Sequence, residues 1–515
     1  MKTYRQYAPD QSYLLPPSPG EWLPKGHLVY FILDLVTDLD LGEIERSLQA
    51  KDHRGERAYS PRMMVALLLY GYATGVFSSR KIERASFEDV AFRILAAGEH
   101  PHFTTINEFR LTHRASFADL FQQVLTLCKA AGLVKLGHVA IDGTKMKANA
   151  SKHKAMSYER MAKEEARLKA EIEQLISQAE AVDAAEDKLY GAGQQPTDLP
   201  AELERREGRR EKIRELRAAL EQETAKARAA ELSELSDELR GKADDPTTVP
   251  KEREKYTTLA AQHDQQAADL DDDDPDPPTV DSDLPRNSPP ADPSGTPKPE
   301  AQRNFTDPES RIMKRDGGFV QAYNAQIAVD EAHQIIVAAA LSNQAPDAQY
   351  FEPMLRRVVD NCDAVPLVTT GDAGYFSVEN VRAAEHMGTE PLLSVGGHHR
   401  NGLPDDSAPV MENLRTEERA AMRARLISPA GRAAYARRKA TVEPVFGQIR
   451  ACRGFRQMSL RGLVKARCEW LLVCATHNLL KLWRAAMRAA TAATAATAAT
   501  ATTATTATTA ATAVA

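Results

Sequence analysis

Two aspartates follow apolar runs that have the character of β-strands. Asp142 comes after residues 138–141, and Asp372 comes after residues 366–371. In open α/β sheets, sites form outside the carboxyl ends of strands. Carboxylate oxygens suit Mg²⁺ or Mn²⁺, and converging carboxylates can hold two ions about 3.5–4 Å apart across a phosphodiester. An aspartate after a strand can also be a turn residue or a helix cap, so this pattern alone leaves both interpretations open.

A third carboxylate, Glu443, is the only acidic residue between positions 431 and 466. The cations in the same window are Arg432, Arg437, Arg438, Lys439, Arg450, Arg453, Arg456, Arg461 and Lys465. Such an excess favours a phosphate-binding surface around a metal ligand. On a continuous helix Lys439, Glu443 and Arg450 would share a face, although Pro444 predicts a helix start or a kink. An ordinary ion pair between Glu443 and Lys439 is the alternative.

The region before these motifs has the pattern of short helices. Residues 25–135 carry apolar side chains at helical spacing, with a helix start at Ser60 and Pro61, and follow an N-terminal extension over residues 1–24. We predict a helical N-terminal DNA-binding domain, with a plain helical packing domain as the alternative. The candidates for its helix-turn-helix surface are basic residues among the short helices: Arg80, Lys81 and Arg110.

The middle of the chain changes character twice. Residues 151–269 are rich in Glu, Lys, Arg, Ala and Leu, with apolar residues on one face. They predict a helical hairpin or coiled coil that bends at residues 191–200. Residues 270–302 are acidic and Pro-rich and predict a disordered linker, in which a metal cluster at Asp271–Asp274 is the sharper alternative.

An α/β pattern returns over residues 303–485 and, together with residues 136–150, predicts an α/β domain that the helical segment interrupts. Predicted strands cover residues 320–329, 334–341, 366–370 and 391–395, and helices are predicted at residues 350–359 and after Ser377. The paired His398 and His399 could bind a metal, although loop histidines are usually inert. Residues 486–515 form an Ala/Thr tract that we expect to be disordered or weakly helical.

Composition narrows the class of protein. The 515 residues are 43% hydrophobic and 27% charged, as in globular proteins of about three or four domains. The net charge of −6 gives no global basic signature. Five scattered cysteines without a CxxC pair argue against disulfides or structural zinc. Because no apolar run approaches about 20 residues, we expect a cytoplasmic protein without a membrane partner.

The motifs, taken in order, resemble those of one family. The catalytic motifs of DDE transposases of bacterial insertion sequences are similar to three segments here: IDGTKMKANAS at 141–151, TGDAGYFS at 370–377 and VEPVFGQIR at 442–450. Further similar segments are NFTDPES at 304–310, GFVQAYNAQ at 318–326, LRG at 460–462 and HNL at 477–479. The resemblance spans about residues 25–150 and 303–482, and the order of the motifs makes it specific.

The resemblance implies an RNase H-like α/β catalytic domain, with a helical N-terminal DNA-binding domain and a helical or coiled-coil insertion after the first catalytic strand. It implies that Asp142, Asp372 and Glu443 are catalytic and hold two Mg²⁺ or Mn²⁺ ions. Asp142 would lie on the first strand, Asp372 would end the fourth, and Glu443 would come from the helical C-terminal part.

Related enzymes often carry a Tyr, Arg, Glu, Lys signature around the glutamate. Tyr435 and Arg438 keep the first spacing, but the step from Arg438 to Glu443 is one residue longer, so Lys439 could take the role of the Arg. Arg450 stands where Lys is usual. The DNA-binding residues expected in this part of the chain are Tyr435, Arg438, Lys439, Arg450 and Arg453.

The implied function is cleavage of DNA strands at the ends of an insertion sequence, followed by transfer of the 3′-OH to target DNA. The expected partners are terminal inverted repeats, target DNA and further copies of the chain in a homodimer or higher synaptic complex near the nucleoid. Two alternatives stay open. One is a DNA-binding remnant or regulator that no longer transposes, and the other is an RNase H-like nuclease that cuts without joining.

Overall fold

A computed structural model describes residues 18–512, except residues 51–57, 191–200, 271–283, 286, 316 and 397–416. Several predictions lie outside the described residues: most of the extension over 1–24, the bend at 191–200, the aspartate run at 271–274, and His398 and His399.

The described part of the N-terminal region is helical, as predicted. Its helices are α1 (Leu28–Asp38), α2 (Gly42–Gln49), α3 (Pro61–Thr74), α4 (Ser79–Glu88), α5 (Val90–Leu95), α6 (Phe103–Thr112) and α7 (Ser116–Ala130). Helix α3 begins at Pro61, where the fixed φ of proline suits the first turn. It ends at Gly75, whose φ of 89° is left-handed and favours glycine. Most of α3 is buried, which makes it the centre of this region.

The strands are β1 (His138–Lys147), β2 (Ala155–Ser157), β3 (Gln302–Asn304), β4 (Arg311–Arg315), β5 (Gly318–Asp330), β6 (Ile335–Ser342), β7 (Val368–Gly371) and β8 (Glu390–Leu393). In the main sheet β5 lies antiparallel to β1, while β1, β7 and β8 run parallel. Strands β4 and β6 pair with different halves of the other edge of β5. A helical N-terminal region beside this mixed sheet is compatible with the predicted RNase H-like fold.

Strand β1 is longer than the sequence predicts. We expected it to end at Asp142 and turn at Gly143, but the strand continues to Lys147. The reason is its partner β5, because the antiparallel pairing runs without interruption from Val139–Asp330 to Lys147–Ala322. Asp142 therefore lies in the middle of β1 and not at its end.

The insertion folds as helices α8 (Tyr158–Tyr190), α9 (Ala201–Asp244) and α10 (Pro250–Leu270). Its base is closed by the antiparallel pair β2 and β3. Helix α9 packs against both neighbours, so the insertion has one helix more than the predicted hairpin. The predicted apolar faces are buried at Leu168, Ile172, Ile213, Leu216 and Leu220.

The predicted disordered linker is wrong over residues 284–285 and 287–302, where the chain is ordered. Leu284 is buried, and the backbone N–H of Asn287 donates to Asn343 Oδ1 at 2.9 Å. The Asp292 carboxylate closes a turn by accepting from the N–H groups of Ser294 and Thr296. Composition missed this order because it shows neither the distant partner of Asn287 nor the local turn at Asp292.

The remaining helices are α11 (Phe351–Cys362), α12 (Val378–Met387), α13 (Glu417–Ile427), α14 (Pro429–Gly447) and α15 (Leu463–Thr512), with a π-helical turn (Gln448–Cys452) after α14. Ser377 caps α12 as predicted, since its hydroxyl accepts from Asn380 N–H. The Ala/Thr tract continues α15 as far as Thr512, because adding residues to an existing helix avoids the cost of nucleation.

Helix α15 contacts both the N-terminal helices and the main sheet. It packs on α3 and α7 on one side and on β6 on the other. The side chains of Trp470 and Cys474 on this helix are completely buried. All five cysteines are free thiols. Within the described ranges, none of the helices combines the length and the apolar character needed to cross a membrane.

Candidate active site

Asp142 and Asp372 come from neighbouring parallel strands. Strands β1 and β7 pair from His138–Val368 to Ala140–Thr370, and each aspartate lies two residues beyond that last pair. Neighbouring strands are about 4.8 Å apart, so the register places the two residues side by side. Asp372 also caps the short 3₁₀ turn that follows β7, because its Oδ1 accepts from Gly374 N–H at 2.8 Å. The cap that we weighed as an alternative is therefore present at a residue that also faces Asp142.

The carboxylate of Asp142 is held in a partly buried, charged environment. Its Oδ1 accepts from Gly143 N–H at 2.8 Å, and its Oδ2 lies 3.3 Å from Arg438 Nη1. Burial raises the pKa of Asp142 to about 6, against the opposing effect of Arg438. The neighbouring carboxylates Asp372 and Asp347 contribute to this raised pKa, since each disfavours a second negative charge.

Glu443 lies on α14 with its side chain exposed. Among the described residues it has no hydrogen-bond or ion-pair partner, and the alternative ion pair with Lys439 is not formed. Nor do any three Asp, Glu, His or Cys side chains of the described part of the chain gather closely enough to hold a metal ion. The structure thus brings Asp142 and Asp372 together and leaves Glu443 apart from them.

Pro444 does not end or start α14, because the helix runs through it to Gly447. Proline has no N–H, so the carbonyl of Ala440 loses its usual helical donor. The side chain of Gln334 supplies the missing bond, with Nε2 donating to Ala440 O at 3.0 Å. The predicted helix start at Pro444 is therefore wrong, and the turn between β5 and β6 supplies a compensating donor.

The basic residues around Glu443 take different positions. Arg438 is buried, with its guanidinium on Asp142 and 5.8 Å from the ring centre of Tyr435, which is also buried. Arg450 Nη1 donates to Thr144 Oγ1 at 3.2 Å, two residues beyond Asp142 on β1. Lys439 is exposed, so Arg438 and not Lys439 occupies the place beside the first aspartate.

Two predicted DNA-binding arginines lie in the core. Arg453 is 8% exposed, and its guanidinium donates to Thr476 Oγ1 at 2.8 Å and to Val473 O at 3.2 Å. Arg110 is 5% exposed and donates to Tyr72 Oη at 2.8 Å, with Glu469 3.8 Å away. This placement contradicts a direct DNA contact by Arg110 and Arg453, because both guanidiniums are already covered by protein. The same prediction is wrong for Tyr435 and Arg438, which are 4% and 7% exposed.

The other N-terminal candidates are accessible. Arg80 and Lys81 are exposed at the start of α4. The Arg80 guanidinium lies 4.7 Å from the ring centre of Phe103 on α6, at a cleft that Thr104 and Asn107 also line. Two short helices with a basic edge suit the predicted DNA-binding surface, and this surface stays a prediction.

The sequence analysis missed a polar network around Asp347, near the two aspartates. Asp347, in the segment between β6 and α11, accepts at Oδ1 from Lys145 Nζ at 2.9 Å, Asn324 Nδ2 at 2.7 Å and Gln326 Nε2 at 2.9 Å. Tyr375 reaches the same network, and burial together with the charges of the nearby aspartates raises its pKa well above the usual value. The signal was available, because two amides inside the apolar run of β5 demand buried partners.

The donor set suits a hard divalent cation. Every candidate ligand is a carboxylate. Carboxylate oxygens bind hard ions such as Mg²⁺ and Mn²⁺ in preference to soft metals. A Cβ added to Gly374 would lie 3.0 Å from Asp372 Oδ1 and 3.6 Å from Asp347 Oδ2. The glycine therefore leaves space beside these oxygens that a side chain would fill.

Comparisons with known families agree with this architecture. Residues 17–111 match a family described as transposase domain (DUF772), and residues 407–483 match a family described as transposase DDE domain. The second range contains Tyr435, Arg438 and Glu443. No curated protein and no solved structure matches the chain. With a transposase domain matched at each end, the resemblance to DDE transposases of the insertion-sequence type is confirmed.

Proposed function

We propose that this protein cleaves DNA at the ends of its insertion sequence and joins the freed 3′ ends to target DNA. The observation that carries the proposal is that Asp142 on β1 and Asp372 just after the adjacent parallel strand β7 lie side by side, with Arg438 on the first carboxylate. A structural ion pair would not need a second aspartate in the same place, since like charges raise the cost of ionisation.

In the proposed centre Asp142, Asp372 and Glu443 hold two Mg²⁺ or Mn²⁺ ions. When bound, the ions would supply an activated oxygen nucleophile and stabilise the leaving oxygen of the phosphodiester. Glu443 is exposed and unpartnered among the described residues, so its carboxylate is available to join the two aspartates when DNA binds. Arg438 favours the ionised, ligand-competent form of Asp142, because its charge lowers the pKa that burial raises.

The proposed reaction has two steps at phosphorus. In the first, a water oxygen attacks a phosphodiester at the element end, and the bond to the 3′ oxygen breaks to leave a 3′-hydroxyl. In the second, this hydroxyl attacks a target phosphodiester, so that one P–O bond forms as another breaks. No covalent protein–DNA intermediate is involved, and therefore no Ser or Tyr nucleophile is required.

DNA is held by phosphate contacts on two surfaces in this proposal. Lys439 and Arg450 flank Glu443 along and beyond α14, while Arg80 and Lys81 lie on the N-terminal helices. Such contacts fix the register of the strand without reading its sequence. Two element ends must be brought together, so we propose a homodimer or a higher synaptic complex at the nucleoid.

The test is cleavage and joining of DNA that carries the element's own flanking ends, in Mg²⁺ and in Mn²⁺. Wild type is compared with Glu443→Gln and with the control Glu352→Gln, which removes a surface carboxylate of α11 that pairs with Arg356. We expect joining to be lost in the first variant only. Binding without cleavage in the wild type would favour a DNA-binding remnant, and cleavage without joining would favour a nuclease.

A further inference from the structure

Strand β5 carries two completely buried amide side chains, Asn324 and Gln326. They are two residues apart and therefore point to the same face of the sheet. A buried amide without partners costs free energy, so its presence in a buried strand calls for specific bonds. For Gln326 those bonds lead to the segments that carry the two aspartates.

Gln326 passes directly over Gly143, the residue after Asp142. The two residues are paired in the ladder between β1 and β5. A Cβ added to Gly143 would lie 2.2 Å from Gln326 Nε2 and 2.9 Å from Gln326 Cδ. Any larger residue at position 143 would have to displace the amide, so this glycine opens the path that Gln326 uses.

The two ends of the amide have different anchors. Its Oε1 accepts from the hydroxyl of Tyr375, in the turn that Asp372 begins. Its Nε2 donates to Asp347 Oδ1 at 2.9 Å and to Asn324 Oδ1 at 3.0 Å. Asp347 is in turn fixed by Lys145, which lies on β1 and donates from Nζ at 2.9 Å. One side chain therefore connects β1, β5 and the turn after β7.

This connection lies where backbone pairing stops. The pairing of β1 with β7 ends at Ala140 and Thr370, so no ladder bond joins the two strands at Asp142 and Asp372. We propose that Gln326 is a positioning residue that fixes the spacing of the Asp142 and Asp372 carboxylates by linking Tyr375 to Asp347 across Gly143. The inference rests on the proposed function, since that spacing matters only if both aspartates serve one centre.

The first test measures Mn²⁺ binding in the full chain, from the paramagnetic resonance signal of free Mn²⁺. Gln326→Leu keeps the size of the side chain but removes its bonds to Tyr375 and Asp347. We expect Mn²⁺ binding at least about tenfold weaker, because the partners that orient metal ligands typically contribute 10–100-fold in affinity. Single-turnover cleavage should fall while the affinity for DNA stays near that of wild type.

A matched control separates positioning from general destabilisation. Tyr323→Phe removes one buried hydrogen bond from the same strand, the 2.7 Å bond to Asp307, on the opposite face of the sheet. It should lower the thermal midpoint and leave Mn²⁺ affinity unchanged. Equal losses of Mn²⁺ affinity in Gln326→Leu and Tyr323→Phe would overturn the inference, as would wild-type Mn²⁺ affinity in Gln326→Leu.

A double-mutant cycle supplies an independent check. Gly143→Ala should weaken Mn²⁺ binding by expelling the amide, and Gln326→Ala should weaken it by removing the amide. If both substitutions act through the same link, the double variant should bind Mn²⁺ no more weakly than the single variant that has the lower Mn²⁺ affinity. Losses that multiply in the double variant would contradict the shared link.

Asp142→Asn distinguishes the failure of the inference from the failure of the proposed function. If Asp142→Asn weakens Mn²⁺ binding and Gln326→Leu does not, only the positioning role is wrong. If Asp142→Asn binds Mn²⁺ like the wild type, the proposed metal centre is wrong, and the inference falls with it.

Discussion

Two regions of the molecule contain carboxylates beside a buried arginine: the Asp142 site, where β1 lies next to β7, and the interface where α15 packs on the N-terminal helices. The carboxylates have different roles in the two regions. Beside β7, Asp142 pairs with Arg438, Asp372 lies next to Asp142, and Glu443 is left exposed without a partner among the described residues. At the interface, the buried carboxylate of Glu469 accepts from Tyr72 Oη at 2.9 Å, and from the backbone N–H groups of Ser459 at 2.8 Å and Leu460 at 3.1 Å.

The difference lies in which polar groups remain uncommitted. A carboxylate whose lone pairs are already taken by protein donors is part of the packing, whatever its charge. Carboxylates that lie close to one another and accept few hydrogen bonds from protein are destabilising unless a ligand compensates their charge. We therefore infer that Glu469 and its surroundings stabilise the fold, whereas the Asp142 site serves catalysis.

The largest effect should follow from Asp142→Asn, which tests the chemical side of the comparison. Loss of a charged metal ligand should reduce metal-dependent cleavage by more than ~100-fold, beyond the effect typical of residues that only orient ligands. The thermal midpoint in metal-free buffer should fall less than in Glu469→Ala, because the amide oxygen can still accept from Arg438 and the amide avoids the burial that disfavours the ionised carboxylate. Single-turnover kinetics and thermal unfolding are measured on the same samples. A variant that unfolds as early as Glu469→Ala would make this site structural, like the interface.

Glu469→Ala tests the structural side. The change leaves Arg110 buried with its nearest carboxylate removed, and strips the acceptor from Tyr72. Breaking a buried pair from one side typically costs about 3–5 kcal/mol, so the free energy of unfolding in urea should fall by that order. The control Glu352→Ala breaks a largely exposed pair with Arg356, which is worth under about 1 kcal/mol. A similar, small change in both variants would remove the distinction between the two regions.

The same comparison shows what the sequence could predict. Strand and helix positions followed from apolar spacing, and the order of the motifs predicted the two aspartates that the sheet places together. Cation counting around Glu443 was less informative, because it grouped Arg450, which reaches Thr144 beside the site, with Arg453, which is buried under α15. Only the packing of distant helices decides which surface a residue faces. Asp347 was missed for a similar reason, since its donors come from β1 and β5.

His477, which lies on α15 and contacts the turn between β5 and β6, should make the stability of the fold sensitive to acid. Burial is the main cause that lowers its pKa to about 3, and its Nε2 donates to Gln334 O at 2.9 Å. An unfolded histidine has a pKa of about 6.5, so between these values the unfolded chain binds more protons and stability falls as pH falls. From pH 7.5 to pH 5 this residue should cost about 2 kcal/mol of unfolding free energy.

The check on this pH dependence is His477→Gln, which keeps a donor for Gln334 O and cannot titrate. Urea denaturation at both pH values should show a smaller loss of stability in this variant than in the wild type. His386→Gln, at an exposed position on α12, should leave the wild-type pH dependence unchanged. Identical pH dependence in all three proteins would mean that the buried imidazole does not carry this sensitivity.

The smallest effect concerns Lys439, an exposed cation on α14 near Glu443. If it contacts a DNA phosphate, Lys439→Ala should weaken binding by a similar factor for all sequences and reduce the salt slope of log K by about 1, because one fewer counterion is released. The matched control is Lys25→Ala, since Lys25 is also exposed and unpartnered among the described residues, and its neighbour Gly26 accepts from Trp483 on α15. Equal salt slopes in the two variants would show that exposure on α14 does not by itself mark a DNA contact. A smaller salt slope in Lys439→Ala than in Lys25→Ala would show that Lys439 contacts a phosphate while Lys25 is only solvated. The exposure of the two side chains cannot make this distinction, because both are exposed.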